Sequence, residues 1–348
     1  GDWRFNLKFW PDPAAMVHEL ESLGVKVMVS IWPSVNMNSE NYREMQERGL
    51  LLAPERGTGG PIVMTDVTCP GQHYVHYYDA TNPEARRYIW EKVKKNYFDH
   101  GIRVWWLDAC EPEMYPRDFD NLRYHLGNGR EVGSIYPMLH AQAFYDGMRE
   151  ARETEIISLC RSAWARSQRY GAAVWSGDIL SDFQTLRGQV KAGLNMALSG
   201  IPWWTTDIGG FTGGDPSQPG FRELLIRWFQ YGVFCPLFRL HGVRSPWRTD
   251  IPEGAFTGAD NEVWSFGEEA YEIITGLLHL RERLRPYIMD LMHQAHEKGT
   301  PPMRPVFFDF PEDPETRKIE DQFMFGPDLL VAPVLEEGRR SRVVYLPA

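Results

Sequence analysis

The chain has 348 residues, of which 43% are hydrophobic and 24% charged, a balance typical of a globular protein with one large α/β domain and a smaller appendage. Its formal net charge is −10 and no run of five or six basic residues occurs, so we exclude a nucleic acid as the expected partner. No stretch of about 18 apolar residues is present, so we expect no membrane span.

The four cysteines, Cys69, Cys110, Cys160 and Cys235, are widely spaced. They form no CxxC pair and no Cys/His cluster at zinc spacing. We therefore expect free thiols and no structural metal. The opening residues do not resemble a signal peptide, which leaves the compartment undetermined.

In chain order, short apolar runs alternate with amphipathic helices. Asp12 and Pro13 mark the start of the first helix and Gly24 its end. The segment "VKVMVSIWP" then predicts a strand that reaches Trp32. A longer helix from Pro83 to residue 101 precedes "IRVWWLD", whose continuous apolar run is typical of a strand buried on both faces.

The same unit recurs in the second half of the chain. A helix over residues 138–152 leads to the strand "EIISLCR", and "AAVWSGD", "IPWWTTDIGG" and "CPLFRLHG" follow, mostly separated by helices. About six strands in this alternation predict parallel pairing through right-handed crossovers. An open doubly wound sheet usually has a glycine-rich GxGxxG turn after its first strand, and this sequence contains none. We predict a TIM (β/α)8-type barrel with about six of its eight units in this sequence.

The periodicity changes near residue 300. A long helix after Phe266 runs to Gly299 with a break at Pro286. Three apolar segments follow, "MRPVFFDF", "QFMFGPDLLVAPVL" and "RRSRVVYLPA", which we interpret as strands. The sequence thus predicts a barrel over residues 1–300 and the start of a β-rich domain over residues 301–348.

Polar or aromatic residues stand at the ends of nearly all predicted barrel strands. Each of them alone has a structural explanation, such as a cap, a surface cation, a turn residue or a core histidine. Their common position at the C-terminal face, where barrel enzymes carry their active sites, favours a functional site instead. The residues are Trp32, Asp108, Arg161, Trp175, Asp178, Asp207 and His241.

Two of the three carboxylates in this set stand out, Asp108 and Asp178, which lie on different predicted strands. Paired carboxylates that flank a glycosidic bond are the usual equipment for its hydrolysis. Arg161 is a candidate cation to keep Asp108 ionised, and a less polar niche beside Trp175 would help Asp178 to hold a proton. This chemistry requires no metal or organic cofactor. Neither the GxSxG elbow of serine hydrolases nor HExxH is present.

Aromatic side chains near the strand ends are candidates for walls that hold a sugar ring. Asp207 and His241 are candidates to hydrogen-bond its hydroxyl groups. The aromatic candidates are Trp32, Trp175, Trp204 and Phe211.

Five segments in order, "SIWP", "WWLDACEPEMY", "CRSAWARSQRYGAAVWSGD", "TTDIGGF" and "PLFRLHG", resemble the catalytic barrel of glycoside hydrolase family 31, the retaining α-glycosidases. The resemblance implies that Asp108 is the nucleophile and Asp178 the acid/base. It places Trp32, Arg161, Trp175, Asp207, Phe211 and His241 around the glycone, and it implies a loop-supporting role for Glu111. The segments after residue 302 resemble the start of that family's C-terminal β-sandwich.

Two departures from the common α-glucosidases of the family are similar to its α-xylosidase-like branch. The nucleophile is followed by Ala109, Cys110 and Glu111 instead of Met-Asn-Glu, and "FRLHG" replaces Arg-Asn-His. We therefore expect an α-xylosidase acting on oligosaccharides. An α-glucosidase, an α-transglycosylase and a non-catalytic carbohydrate-binding barrel stay open as alternatives, as does a homo-oligomeric state.

The family's barrel has two strands before the one predicted to end at Trp32, and an N-terminal β-sandwich precedes them. The sequence resembles a fragment that lacks both. Because an unclosed barrel exposes strand edges and an incomplete sugar site, we expect this polypeptide alone to be poorly active and prone to aggregation.

Overall fold

The structure is a computed structural model that describes residues 1–57, 59–66, 73–111, 118–248 and 257–347. Cys69, one of the predicted free thiols, lies outside these residues. The chain divides into two compact units, Gly1–Ala173 and Val174–Ala348.

The first unit is built on three parallel strands, which lie side by side in the order β1 (Met28–Ile31), β6 (Val104–Leu107) and β9 (Ser158–Cys160). Ile31 is paired with Leu107, and Leu107 with Cys160, so the three strands end level with one another. The predicted strands are therefore confirmed, although each is shorter than the sequence pattern suggested. The strands of this unit are β1 (Met28–Ile31), β2 (Ser34–Asn36), β3 (Ala53–Pro54), β4 (Met64–Asp66), β5 (His73–Tyr77), β6 (Val104–Leu107), β7 (Leu122–Tyr124), β8 (Gly127–Asn128) and β9 (Ser158–Cys160).

Helices cover one face of these strands. The Asp12 side chain accepts a hydrogen bond from the Ala15 amide and so caps the first helix, as the sequence predicted. Trp105 is fully buried on the helix side of β6, where its ring meets those of Trp90 and Phe144. The helices of this unit are α1 (Pro13–Ser22), α2 (Tyr42–Glu47), α3 (Pro83–Asn96), α4 (Gly129–Val132) and α5 (Tyr136–Glu150).

Two small antiparallel sheets interrupt the alternation of strand and helix. One pairs β5 with β2 and with β4, and the other pairs β7 with β3 and with β8. The sequence analysis predicted no secondary structure for the residues between β1 and α3. Their strands are only two to five residues long, too short to produce a readable period.

The second unit begins within β10 (Ala172–Trp175), which pairs in parallel with β11 (Trp204–Thr205) through Val174 and Trp175. Beyond these strands, parallel bridges join Leu180 to Thr212 and Ile208 to Leu240. Helices in this part of the chain are α6 (Phe183–Leu198), α7 (Pro219–Gly232), α8 (Glu268–Arg283) and α9 (Arg285–Lys298). The interruption at Leu284, beside Pro286, confirms the predicted break in the long helix.

The prediction of a regular strand over "CPLFRLHG" is wrong. This segment makes a single bridge, at Leu240, and has no strand of its own. Pro236 has no amide hydrogen to donate to a ladder. The carbonyls of Cys235, Pro236 and His241 accept hydrogen bonds from arginine side chains instead of from a neighbouring strand.

The C-terminal segment contains a three-stranded antiparallel sheet, β12 (Met303–Pro305), β13 (Phe323–Phe325) and β14 (Leu329–Val331). The expectation of strand throughout "MRPVFFDF" is wrong, because α10 (Val306–Asp309) follows β12 directly and Arg304 closes the turn by binding Asp309. The described part of "RRSRVVYLPA" forms no strand. No helix among the described residues is both long and apolar enough to cross a membrane.

Candidate active site

In the first unit, three predicted site residues lie side by side at the ends of the parallel strands. Trp32 follows β1, Asp108 follows β6 and Arg161 follows β9. Since the last residues of these strands are paired in register, the three residues that follow them form one layer. The structure thus brings together Trp32, Asp108 and Arg161 as the sequence predicted.

Asp108 is held by its own backbone and by a cation. Its Oδ1 atom accepts a hydrogen bond of 2.8 Å from the amide of Ala109, and Arg161 Nη1 lies 3.4 Å from the same oxygen. The side chains of Asp108 and Arg161 are only 14% and 10% exposed. Ala109 adopts a φ of 50°, a conformation that residues with a Cβ adopt rarely, so the turn after β6 is strained where it aims the carboxylate.

Glu111 binds the edge of the Arg161 guanidinium that does not face Asp108. Arg161 Nε lies 3.1 Å from Glu111 Oε1, and Arg161 Nη2 lies 2.8 Å from Glu111 Oε2. Such a two-point arrangement fixes the plane of the guanidinium as well as its position. Arg161 therefore bridges two carboxylates, and the predicted loop-supporting role of Glu111 extends to orienting this cation.

The buried thiol of Cys110 joins the loops that follow β6 and β9. Its Sγ atom lies 3.5 Å from Ser162 Oγ, next to Arg161. Burial raises the pKa of Cys110 to about 12, so the thiol stays neutral at ordinary pH. Cys110 is a packing residue of this turn, and Cys160 and Cys235 are likewise buried free thiols.

In the second unit, Asp207 is the most deeply buried of the predicted site carboxylates. It is 0% exposed, and its Oδ1 atom accepts a hydrogen bond from Arg239 Nη1. The amide of Asp207 donates to Ser176 Oγ over 3.1 Å. Arg239 also lies over the ring of Trp175, with its guanidinium carbon 5.4 Å from the ring centroid. The structure thus groups Trp175, Asp207 and Arg239.

Burial controls the protonation of this group. It raises the pKa of Asp207 to about 7, and Asp178 raises it further while the cations Arg239 and Arg244 lower it. Burial also lowers the pKa of His241 to about 3, with contributions from the same two arginines. At neutral pH His241 is therefore a neutral imidazole that can both donate and accept one hydrogen bond.

Phe211 and His241 form a second cluster in this unit. Their rings stack with centroids 5.5 Å apart and an interplanar angle of 27°. The amide of Phe211 donates to Ile179 O over 2.8 Å, and the Phe211 carbonyl accepts from the Val243 amide over 2.7 Å. These bonds hold the turn of Phe211 between the segments that carry Asp178 and His241.

The surroundings of Trp204 and Asp178 differ from what the sequence suggested. Trp204 is buried and packs towards α6, where a Cβ added to Gly193 would lie 2.7 Å from its Nε1 atom. Asp178 is exposed, whereas the sequence predicted a less polar niche around it.

Arg239 was missed at the sequence level. It lies two residues before His241 in "CPLFRLHG", and the alternation of side chains along an extended segment places both on one face. That spacing was the available signal. Within the described residues, no three His, Cys, Asp or Glu side chains are grouped so as to hold a metal ion.

The chain matches two domain families along nearly its whole length. Residues 1–291 match the family described as "Glycosyl hydrolases family 31 TIM-barrel domain", and residues 299–348 match "Glycosyl hydrolase family 31 C-terminal domain". The predicted fold class, a barrel followed by a further domain that contains a sheet, is thereby confirmed.

Proteins similar to this chain are named as α-xylosidases or as a family 31 glucosidase. The crystal structure of a GH31 α-xylosidase from a soil metagenome, complexed with xylose, is 57% identical with a TM-score of 0.94, and the match covers 100% of this chain and 51% of that one. Alpha-xylosidase A of Aspergillus niger is 36% identical over 100% of this chain and 51% of its own length. An uncharacterized family 31 glucosidase of Pseudescherichia vulneris is 53% identical over 71% of this chain and 45% of its own length. The chain spans about half the length of these relatives.

Proposed function

The chain belongs to glycoside hydrolase family 31, and from this premise we propose that it supplies the catalytic machinery of a retaining α-xylosidase. The observation that carries the proposal is the ion-paired Asp108 at the end of β6, level with Trp32 and Arg161. The similarity to proteins named α-xylosidase, at 36% and 57% identity, supports xylose as the glycone.

In the proposed first step, the carboxylate of Asp108 attacks the anomeric carbon and the bond to the leaving oxygen breaks. Asp178 donates a proton to that oxygen, and a glycosyl ester of Asp108 forms. In the second step, Asp178 accepts a proton from water, the hydroxide adds to the anomeric carbon and Asp108 leaves as a carboxylate. Two inversions give net retention of configuration.

Arg161 has an electrostatic role in this scheme. Its guanidinium, 3.4 Å from Asp108 Oδ1, stabilises the negative charge of the nucleophile before attack and after its release. Glu111 keeps the guanidinium in place through two hydrogen bonds. The arrangement supports a carboxylate that is charged and fixed in direction, which a nucleophile requires.

The residues of the second unit are proposed to bind the sugar. Neutral His241 offers both a donor and an acceptor to hydroxyl groups, and Asp207 offers an acceptor whose position Arg239 fixes. The rings of Phe211 and Trp175 give apolar faces. Trp204 packs towards α6 and is proposed to support β11 rather than to contact the sugar. The barrel is proposed to occupy residues 1–300 and the C-terminal domain residues 301–348.

An α-glucosidase is the second candidate, since the relative that is 53% identical is named a family 31 glucosidase. Xylose lacks the hydroxymethyl group of glucose, so the two candidates differ in the space near one ring carbon. A transglycosylase forms the same glycosyl ester, but a sugar hydroxyl instead of water takes the glycosyl group and releases the carboxylate.

The test uses the full-length protein and compares initial rates on aryl α-xyloside and aryl α-glucoside. The proposal predicts faster turnover of the xyloside, an α-anomer as first product, and loss of about 10³-fold or more in kcat for Asp108→Asn. The matched control is Asp99→Asn, which removes a surface carboxylate paired with Lys94 and should keep normal rates.

The outcomes separate the candidates. Faster cleavage of the glucoside would leave the family mechanism intact and overturn the glycone. Transfer products in excess of free sugar would favour a transglycosylase. Absence of turnover on both substrates, with sugar binding retained, would favour a carbohydrate-binding protein.

A further inference from the structure

Arg244 is a completely buried cation that binds the backbone of two separate segments. Its side chain is 0% exposed. The Nη1 atom donates to Gly210 O over 2.8 Å, and Nη2 lies 3.2 Å from Ile208 O and 3.5 Å from His241 O. One guanidinium thus joins the turn that follows Asp207 to the residue His241.

A third segment meets the same side chain. Arg244 Nε donates to Asn261 Oδ1 over 2.7 Å, while Asn261 Nδ2 lies 3.4 Å from Gly242 O. The backbone of Arg244 is bridged to Ala259 as well, with a bond of 2.8 Å from the Ala259 amide to Arg244 O. The five hydrogens of a guanidinium lie in one plane, so these acceptors fix its orientation.

Glycines enclose the guanidinium closely. A Cβ added to Gly209 would lie 2.9 Å from Nη2, and one added to Gly242 would lie 2.7 Å from Nη1. A Cβ on Gly214 would lie 3.0 Å from Nη1. The sequence therefore leaves room at three positions for this one side chain, whose guanidinium carbon also lies 5.0 Å from the ring centroid of Phe221.

The burial of Arg244 is unfavourable for its charge. Burial lowers its pKa to about 10, and the charge of Asp207 offsets part of this effect. A cation in such a place is costly unless its hydrogen bonds are satisfied. Its acceptors belong to the very segments that present Asp207, Phe211 and His241.

We propose that Arg244 is a positioning residue that sets the relative placement of the Asp207–Phe211 turn and His241, and thereby the affinity for the glycone. The inference rests on the proposed function of those residues. Arg244 itself is completely buried against backbone carbonyls, Asn261 and the ring of Phe221, and we assign it no contact with the sugar. Its loss should therefore affect substrate binding more than the chemical step.

The kinetic test compares Arg244→Lys and Arg244→Met with the wild type in the full-length protein. The expected result is a KM raised about tenfold or more in Arg244→Met, with kcat reduced less, and an intermediate KM in Arg244→Lys, whose ammonium has no planar fork. The matched control is Arg304→Met, because Arg304 is another buried arginine with a bidentate acceptor, Asp309, in the C-terminal sheet. It should lose thermal stability and keep KM within about twofold.

A pH profile gives a readout that general destabilisation would not move. The charged groups that act on Asp207 are Arg239, Asp178 and Arg244. The Arg244 cation favours the ionised form of Asp207. Its removal should therefore raise the pH at which KM changes as Asp207 titrates. Arg304→Met should leave the transition where it is in the wild type.

Hydrogen exchange separates this inference from the proposed function. Peptides that cover residues 207–214 and 239–244 should exchange faster in Arg244→Met and not in Arg304→Met, whether or not the wild type turns over a glycoside. If Arg244→Met does not fold, Arg244→Lys and Asn261→Ala decide by the same readouts. Unchanged KM and unchanged exchange in the folded variants would overturn the inference, while absence of wild-type turnover would overturn only the proposed function.

Discussion

Arg161 Nη1 lies 3.4 Å from Asp108 Oδ1, and the two side chains are almost completely enclosed in the first unit. The pair is not isolated, because Glu111 holds the opposite edge of the same guanidinium. The cation is thus shared by two carboxylates with different tasks. Asp108 is proposed to react, and Glu111 to keep Arg161 where its charge is useful.

The first prediction concerns Glu111. Glu111→Gln keeps an oxygen acceptor but removes the charge that balances Arg161. Hydrogen bonds to charged groups contribute about 1.5–3 kcal/mol, so we expect kcat to fall about 10- to 100-fold. The measurement is kcat on an aryl α-xyloside. Glu153→Gln removes the partner of Arg103 in a comparable ion pair of the same unit and should leave kcat unchanged. Equal kcat in both variants would contradict the role of Glu111.

Much of this arrangement was predictable from the sequence. Continuous apolar runs mark buried parallel strands, and the residue after such a run stands at the C-terminal face. Trp32, Asp108 and Arg161 were located in this way. The register of β1, β6 and β9, which makes the three residues level, follows from their parallel pairing and not from any local pattern.

Other features could not be read from local sequence. The bond from Arg239 to Asp207 joins segments 32 residues apart, and it depends on where "CPLFRLHG" lies. That segment has the composition of a strand, yet side chains of Arg244 and Arg281 bind its carbonyls. The positive φ of Ala109 is equally invisible in sequence, because alanine ordinarily avoids this conformation.

The second prediction concerns Asp178. If Asp178 is the acid/base, the loss of activity caused by Asp178→Ala should depend strongly on the leaving group. We expect a loss of about 10²- to 10⁴-fold on an oligosaccharide, whose leaving oxygen requires a proton, and a much smaller loss on an activated aryl glycoside. The measurement is kcat/KM on both substrates. Equal losses on the two would contradict the assignment and point to a binding role.

The third prediction is a pH dependence centred on Asp207. Its pKa of about 7, raised by burial, lies above the value in the unfolded chain. As the pH falls through about 7, Asp207 takes up a proton and its ionic bond to Arg239 weakens, so KM should rise. Asp207→Asn should raise KM most at high pH, where the wild-type carboxylate is ionised, and should abolish the transition. KM measured from about pH 5.5 to about pH 8.5 tests this expectation.

The raised pKa of Asp207 also makes the stability of the fold depend on pH. Because the folded-state pKa is raised, the contribution of Asp207 to stability is fully present below about pH 4 and is lost as the pH rises through about 7. The Tm difference between wild type and Asp207→Asn should therefore change over this window. A difference that is constant with pH would show that Asp207 is ionised throughout.

The last prediction uses two glycines of the turn that carries Phe211. Gly210 and Gly213 both have positive φ, 77° and 90°. A Cβ at Gly210 would lie 2.6 Å from Ser181 Cα, whereas a Cβ at Gly213 would meet nothing within 4 Å. Both alanine variants bear the cost of a left-handed residue, about 1–2 kcal/mol.

Gly210→Ala should lose about 1–3 kcal/mol more in its free energy of unfolding, because the clash is with backbone that cannot rotate away. It should also raise KM, since relief of the clash moves Phe211 away from its stacked position on His241. Gly213→Ala is the control with the same backbone penalty and should keep the wild-type KM. Chemical denaturation together with KM on an aryl α-xyloside measures both effects. Similar KM values for the two variants would mean that the stacked pair does not contact the sugar.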